Sequence, residues 1–208
     1  MTDKINSSGK ILVWDLPVRF FHWSLALSFA IAYITSESER WQLIHITSGY
    51  VLAVLIVFRL LWGVVGSRYA RFSEFVRGPA AIKAYLLGLL RLHPPHYTGH
   101  NPAGALAVLA LLSLGLLTTA TGWANFNEIG GKLLEELHEG AANIMLAVVA
   151  MHVAAVLLTS LLHHENLVAA MLSGFKQGSA NLAISQSYWG IALAVLALIG
   201  GTVLLAIR

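Results

Sequence analysis

The 208-residue sequence contains no cysteine. That excludes disulfides, cysteine-ligated iron–sulfur clusters and the C-x-x-C-H attachment of a c-type haem, so any haem here is held without a thioether link. Charge is also scarce. Charged side chains make up 11% of the chain and apolar ones 57%, whereas a soluble domain carries about 25% charged residues. The whole length therefore reads as an integral membrane protein with short tails and the lipid bilayer as its main partner. The formal net charge of +3 is unremarkable, and no nucleic-acid partner is expected.

Five apolar runs are long enough to span a membrane, at about 18–35, 42–65, 102–122, 136–162 and 187–207. Runs of about 18 or more residues with few charges are transmembrane candidates, and lipid admits only helices or closed barrels. The first run lacks a small-x-small cleavage site and is followed by Ser36-Glu37-Ser38-Glu39-Arg40. It is therefore expected to be retained rather than removed as a signal peptide. Basic residues concentrate in the N-terminal tail (Lys4, Lys10, Arg19) and after the second run (Arg68, Arg71, Arg77, Lys83, Arg91). The loops after runs one and three have only Arg40 and Lys132, beside Glu37, Glu39, Glu128, Glu135 and Glu136. The positive-inside rule then puts the N-terminus in the cytoplasm and the two acidic loops outside. The stretch at about 79–92 is too short to span, and its Pro start and interrupting basic residues fit an amphipathic helix on the cytoplasmic interface. The expected organisation is all-α: a cytoplasmic tail over 1–13, a four-helix transmembrane bundle over 14–165, and a linker with a fifth C-terminal transmembrane helix over 166–208.

Polar titratable groups at membrane depth are costly and mark functional candidates. His138 and His152 lie fourteen residues apart in the fourth run, with His22 in the first and His45 in the second. Fourteen residues at about 100° each return to nearly the same helix face, about 21 Å along the axis. One metal ion cannot bridge that gap, but two stacked haems could. With the orientation above, His45 and His138 share the outer level and His22 and His152 the inner level. Neutral imidazole is a good iron ligand, and facing helices can set two of them across a porphyrin. Two axial histidines leave no open iron position, so such a haem passes electrons and does not readily bind substrate.

Small residues beside these histidines could provide low walls for a flat macrocycle. They are Gly49, Ala141, Ala142 and, in the third run, Ala103, Gly104, Ala107, Ala110, Ser113 and Gly115. Small residues also pack transmembrane helices generally. Arg59, fourteen residues after His45, and Arg19, three before His22, are candidates to neutralise a haem propionate, or else to snorkel to the surface. His100 opens the third run near the inner level, where it could substitute for His22 or line a quinone pocket.

FHW at 21–23, IHITSGY at 44–50, RLLWGVVGSRYARF at 59–72, GHNPAGALAVLALL at 99–112, HEGAANIMLAVVAMH at 138–152 and HHENLVAAM at 163–171 resemble the bacterial cytochrome b561 family. That family includes the b-type cytochrome subunit of nickel–iron hydrogenases, and the resemblance covers roughly residues 12–175. It implies a four-helix diheme cytochrome of the bacterial inner membrane, with His22, His45, His138 and His152 as iron ligands. It further implies two b haems, paired His45/His138 outside and His22/His152 inside. Such proteins exchange electrons between the quinone pool and a partner, here a periplasmic c-type cytochrome or a hydrogenase-like redox subunit. The fifth helix departs from the minimal family core. Polar groups suited to a quinone are His100, Asn101 and Tyr97 inside, or Asn125, Asn127 and Trp123 outside. The alternative from another class is a small transporter or channel whose buried histidines handle metal or protons. A homo-oligomer is left open.

Overall fold

The computed structural model describes residues 9–208; Lys4 and the rest of residues 1–8 of the expected tail lie outside the described residues. The chain enters through a short strand, β1 (Gly9–Leu12), and turns at Asp15 into helix α1 (Leu16–Thr35). Asp15 is the N-cap: its side chain accepts from the Val18 amide, and proline in the first turn needs no amide partner. A 3-10 turn at Glu39–Trp41 leads into α2 (Gln42–Val65), followed by a single turn α3 (Phe72–Phe75) and then α4 (Pro79–Leu90). Asn101 caps α5 (Pro102–Phe126) through a 2.7 Å bond from the Gly104 amide. Then come α6 (Gly131–Leu162), a short α7 (Leu167–Ser173), strand β2 (Phe175–Gly178), a 3-10 turn at Ala180–Leu182, and α8 (Trp189–Ala206).

Five of these helices, α1, α2, α5, α6 and α8, are long and apolar enough to cross a membrane. The protein is an all-α multi-pass membrane protein. Large apolar side chains such as Ile34, Val64, Val65 and Leu161 lie exposed on these helices, as a bilayer solvent permits and water does not. α1 packs on α2, α2 on α5, and α5 on α6, while α8 lies against α1 and α2. Phe29 of α1, Leu55 and Ile56 of α2, Leu112 of α5, Met145 of α6 and Val195 of α8 share one buried cluster. The fifth span thus adds a side chain to the same core that joins the other four.

Helix bounds differ from the sequence expectation at two places. α5 continues to Phe126, and α6 starts at Gly131, where Gly130 (φ +81°) and Gly131 (φ +54°) make a left-handed turn. Lys132, Glu135 and Glu136 are therefore on the first turns of α6 rather than in a loop. The helix expected at 79–92 forms as α4, rests on α5, and buries Tyr85.

A second buried cluster closes one end of the bundle. β1 pairs antiparallel with β2, Gly9 opposite Gly178. Val13, Trp14, Trp62, Tyr69 and Ala170 pack beneath this clip. At its centre Asp15 is fully buried and accepts from Trp62 Nε1 at 3.1 Å, from Ser67 Oγ, and from the Val18 amide at 2.7 Å. One carboxylate thereby joins the start of α1 to the end of α2.

Candidate functional site

The 3-10 turn places His45 in the first turn of α2, and the early start of α6 places His138 in its second. Their rings face each other with centroids 6.1 Å apart and planes at 78°. A metal–imidazole bond is about 2.0 Å, and each ring centroid sits about 1 Å behind its donor nitrogen, so two rings sharing one metal face each other at about 6 Å. His45 Nδ1 lies 2.8 Å from the Ala32 carbonyl, and His138 Nδ1 lies 2.9 Å from the Thr118 carbonyl. A carbonyl only accepts, so both Nδ1 atoms carry the hydrogen and both Nε2 lone pairs remain free. That is the arrangement that orients ligating imidazoles and fixes their tautomer.

A cavity of about 950 Å³ opens beside this pair, lined among others by Gly49, Gly122, Trp123 and Ala142. A Cβ added at Gly49 would meet nothing within 4 Å, whereas one at Gly122 would stand 2.8 Å from His138 Cε1. Gly49 thus borders open volume, and Gly122 lets the His138 ring lie against α5. Across the cavity, Tyr33 Oη donates to Asn143 Oδ1 at 2.8 Å, and Glu37, Glu135 and Glu139 also reach its wall.

The other end of the bundle gathers a second histidine set. His22 and His152 are close enough for a charge on one to act on the other. His100, just before α5, feels the charges of Arg59, His152, His22 and Lys176. Trp14 and Phe75 pack on its ring, at 4.8 and 4.4 Å between centroids. Burial, reinforced by the neighbouring cations, pulls the His100 pKa down to about 3. Nδ1 of His22 and Nδ1 of His100 are both buried without a hydrogen-bond partner.

Arg59 is 3% exposed, lies among the rings of Phe72, Phe75 and Phe21 at 5.0, 5.9 and 6.0 Å, and keeps Nη1 buried and unpaired. A desolvated guanidinium with a vacant donor suits an anionic group. Arg19 donates to the Leu172 carbonyl near the end of α7 and likewise keeps one donor, Nε, buried and unpaired.

The remaining sequence candidates divide by side. Asn125 and Asn127 direct their amide donors to the Leu134 and Trp123 carbonyls. Asn101 is engaged as a helix cap, and the Tyr97 carbonyl accepts from Lys176. His100 is thus the one whose ring nitrogen stays buried and unpartnered. Among the small residues named on the third span, Gly115 packs against Ile56, Leu52 and Met145 rather than bordering the cavity. The close wall there is Gly122, which sequence reasoning passed over; its position sixteen residues before His138, across a short turn, was the available signal. Among the described residues, no three His, Asp or Glu side chains converge to hold one metal ion.

A family profile described as prokaryotic cytochrome b561 matches residues 13–174. Among curated proteins, the chain is 29% identical over 154 residues to a probable Ni/Fe-hydrogenase B-type cytochrome subunit of Azotobacter vinelandii, covering 61% of this chain and 63% of that protein. It is 26% identical over 155 residues to the probable Ni/Fe-hydrogenase 1 B-type cytochrome subunit of Escherichia coli strain K12, covering 62% and 65%. It is 23% identical over 220 residues to the corresponding Rhodobacter capsulatus protein, covering 84% of each. The chain thus spans less than two thirds of the length of the Azotobacter and Escherichia relatives in these matches. No solved structure matches the chain. The profile covers most of the chain, including four of its five long apolar helices, and the chain belongs to the prokaryotic cytochrome b561 family.

Proposed function

We propose that this chain carries electrons across the bacterial inner membrane on two b haems, with its N-terminus in the cytoplasm. His45 and His138 hold the outer haem, and His22 and His152 hold the inner one. The observation that carries this is the His45/His138 pair: rings 6.1 Å apart, each with Nδ1 hydrogen-bonded to a backbone carbonyl and Nε2 left to bind iron. The residues fit the group at both ends. The outer pair borders a cavity of about 950 Å³ with open volume at Gly49, and the inner set has an unpaired buried Arg59 to face a propionate. A haem iron with two imidazole ligands supplies reversible one-electron chemistry.

The protein's own contribution is orientation and electrostatics. Carbonyls of Ala32 and Thr118 fix the outer rings, Gly122 makes room for His138, and Arg59 places positive charge by the inner set. Arg19 braces the start of α1 through the Leu172 carbonyl, and its buried, unpaired Nε leaves a second donor for a propionate. A quinone binds on the inner side, where His100 offers a buried, unpartnered nitrogen between Trp14 and Phe75. The redox partner is a hydrogenase-like subunit, as the names of the curated relatives suggest, rather than a soluble c-type cytochrome.

Purified protein is expected to show a reduced b-type spectrum and two haems per chain by pyridine haemochrome. His138→Ala loses the outer redox transition and His152→Ala the inner one. Loss of the same transition in both variants, or a colourless protein from haem-replete cells, overturns the proposal.

A further inference from the structure

The stretch HHENLVAAM at 163–171 has no part in holding a cofactor, yet its Glu165 is built into an unusual setting. Glu165 has a side chain only 14% exposed, with Oε2 3.1 Å from Lys176 Nζ and 3.2 Å from His96 Nε2. Its other oxygen, Oε1, is buried with no hydrogen-bond partner. Lys176, on β2, is 3% exposed along its side chain and also donates to the Tyr97 carbonyl at 3.2 Å. His96, in the loop between α4 and α5, is 49% exposed, and its ring meets that of His163, at the end of α6, at 5.1 Å. Lys176 in turn acts electrostatically on His100, whose Nδ1 is buried.

These groups run from water inward: exposed His96 and half-buried His163, then a carboxylate with one vacant oxygen beside a buried ammonium, whose charge reaches His100. Among the described residues, the charged or titratable side chains paired or coupled with Glu165 are His163 from the end of α6, His96 from the α4–α5 loop and Lys176 from β2. A tether alone needs the Glu165–Lys176 ion pair and nothing more. A carboxylate oxygen kept from water without a partner is costly, and the two imidazoles stacked at the mouth add nothing to a tether.

We propose that His96, His163 and Glu165 form a proton-uptake relay from the cytoplasm to a quinone bound beside His100. The relay rests on the quinone reading above. Reduction of the quinone takes two electrons, one at a time from the protein's haems, and two protons. An O–H bond forms at each quinone oxygen, each proton leaves the relay inward, and water reprotonates His96 and His163. Glu165 takes the proton on Oε2, the oxygen that His96 and Lys176 share, and passes it on from the vacant Oε1.

The test is reoxidation of the dithionite-reduced protein by a short-chain benzoquinone, followed at the haem band by stopped flow. Glu165→Gln should slow this by about a hundredfold, the size of a lost acid–base group. Haem content, spectrum and reoxidation by ferricyanide, which takes up no proton, should stay at wild-type values. Azide, a small diffusible acid, should restore the quinone rate in the variant, an effect that a purely structural role does not produce. Should Glu165→Gln fail to fold, the double variant His96→Gln/His163→Gln leaves the ion pair intact and should show the same split with a changed pH profile. Equal slowing with both oxidants, or no slowing with either, overturns the relay. A wild-type protein whose haems the quinone does not reoxidise overturns the quinone reading itself.

Discussion

Gly122→Ala is the sharpest probe of the outer site, because the change lies on α5, outside the ligand set. An added Cβ would stand 2.8 Å from His138 Cε1 and 3.0 Å from Nδ1, where ordinary contact begins at 3.4 Å. The ring must retreat by about 0.6 Å, three times the roughly 0.2 Å tolerance of a metal–ligand bond. Retreat also strains the 2.9 Å bond from Nδ1 to the Thr118 carbonyl that fixes the tautomer. Overpacking of this kind costs about 1–3 kcal/mol, and loss of an orienting partner lowers metal affinity by about 10–100-fold. The haem-to-chain ratio by pyridine haemochrome should fall from two towards one, and a redox titration should lose the outer transition alone. Gly140→Ala, two residues from His138 on α6, adds a Cβ that meets nothing within 4 Å and should leave both haems in place. Two haems per chain with unshifted transitions in Gly122→Ala would show that His138 does not grip an iron where it stands.

Arg59→Gln removes the buried cation from the inner set and should lower the inner midpoint potential by about 60 mV, a tenfold change for a one-electron couple, in a spectroelectrochemical titration; the outer transition should stay fixed. Asp15→Asn keeps the size but weakens acceptance from Trp62, Ser67 and Val18, and should cost about 1–3 kcal/mol, seen as a lower thermal midpoint in detergent. Acidification should also destabilise the fold through His100, whose pKa is drawn from 6.5 down to about 3 by burial and nearby cations. The unfolded chain binds a proton there that the folded chain refuses, so stability is full above pH 6.5 and falls as pH drops towards 3. His100→Asn should flatten that slope in thermal melts between pH 7 and pH 5.

The spans were legible because lipid imposes a simple rule of length and apolarity. α2 occupies 42–65 as its composition implied, and α4 begins at the proline that marked its start. The start of α6 was harder, since Lys132, Glu135 and Glu136 read as loop charges although they lie on helical turns projecting from the apolar zone. The facing of His45 and His138 followed from helical phase and chain direction. Their carbonyl partners did not, because backbone groups leave no mark on a sequence pattern. The β1–β2 pairing was equally hidden: GKIL and FKQG are four-residue strands without alternation, and only tertiary packing selects their register. Nothing in the sequence singled out Asp15, since its side-chain partners Trp62 and Ser67 come 47 and 52 residues later.

The clip between Gly9–Leu12 and Phe175–Gly178 also orders events during synthesis. Its first strand leaves the ribosome long before its second, so the clip closes only after all the histidine-bearing helices have been made. Until residue 178 emerges, the side of the bundle that carries His22 stays hinged only through its neighbours. That end of the bundle is thus completed only once four of the five long apolar helices exist, with α8 still to come.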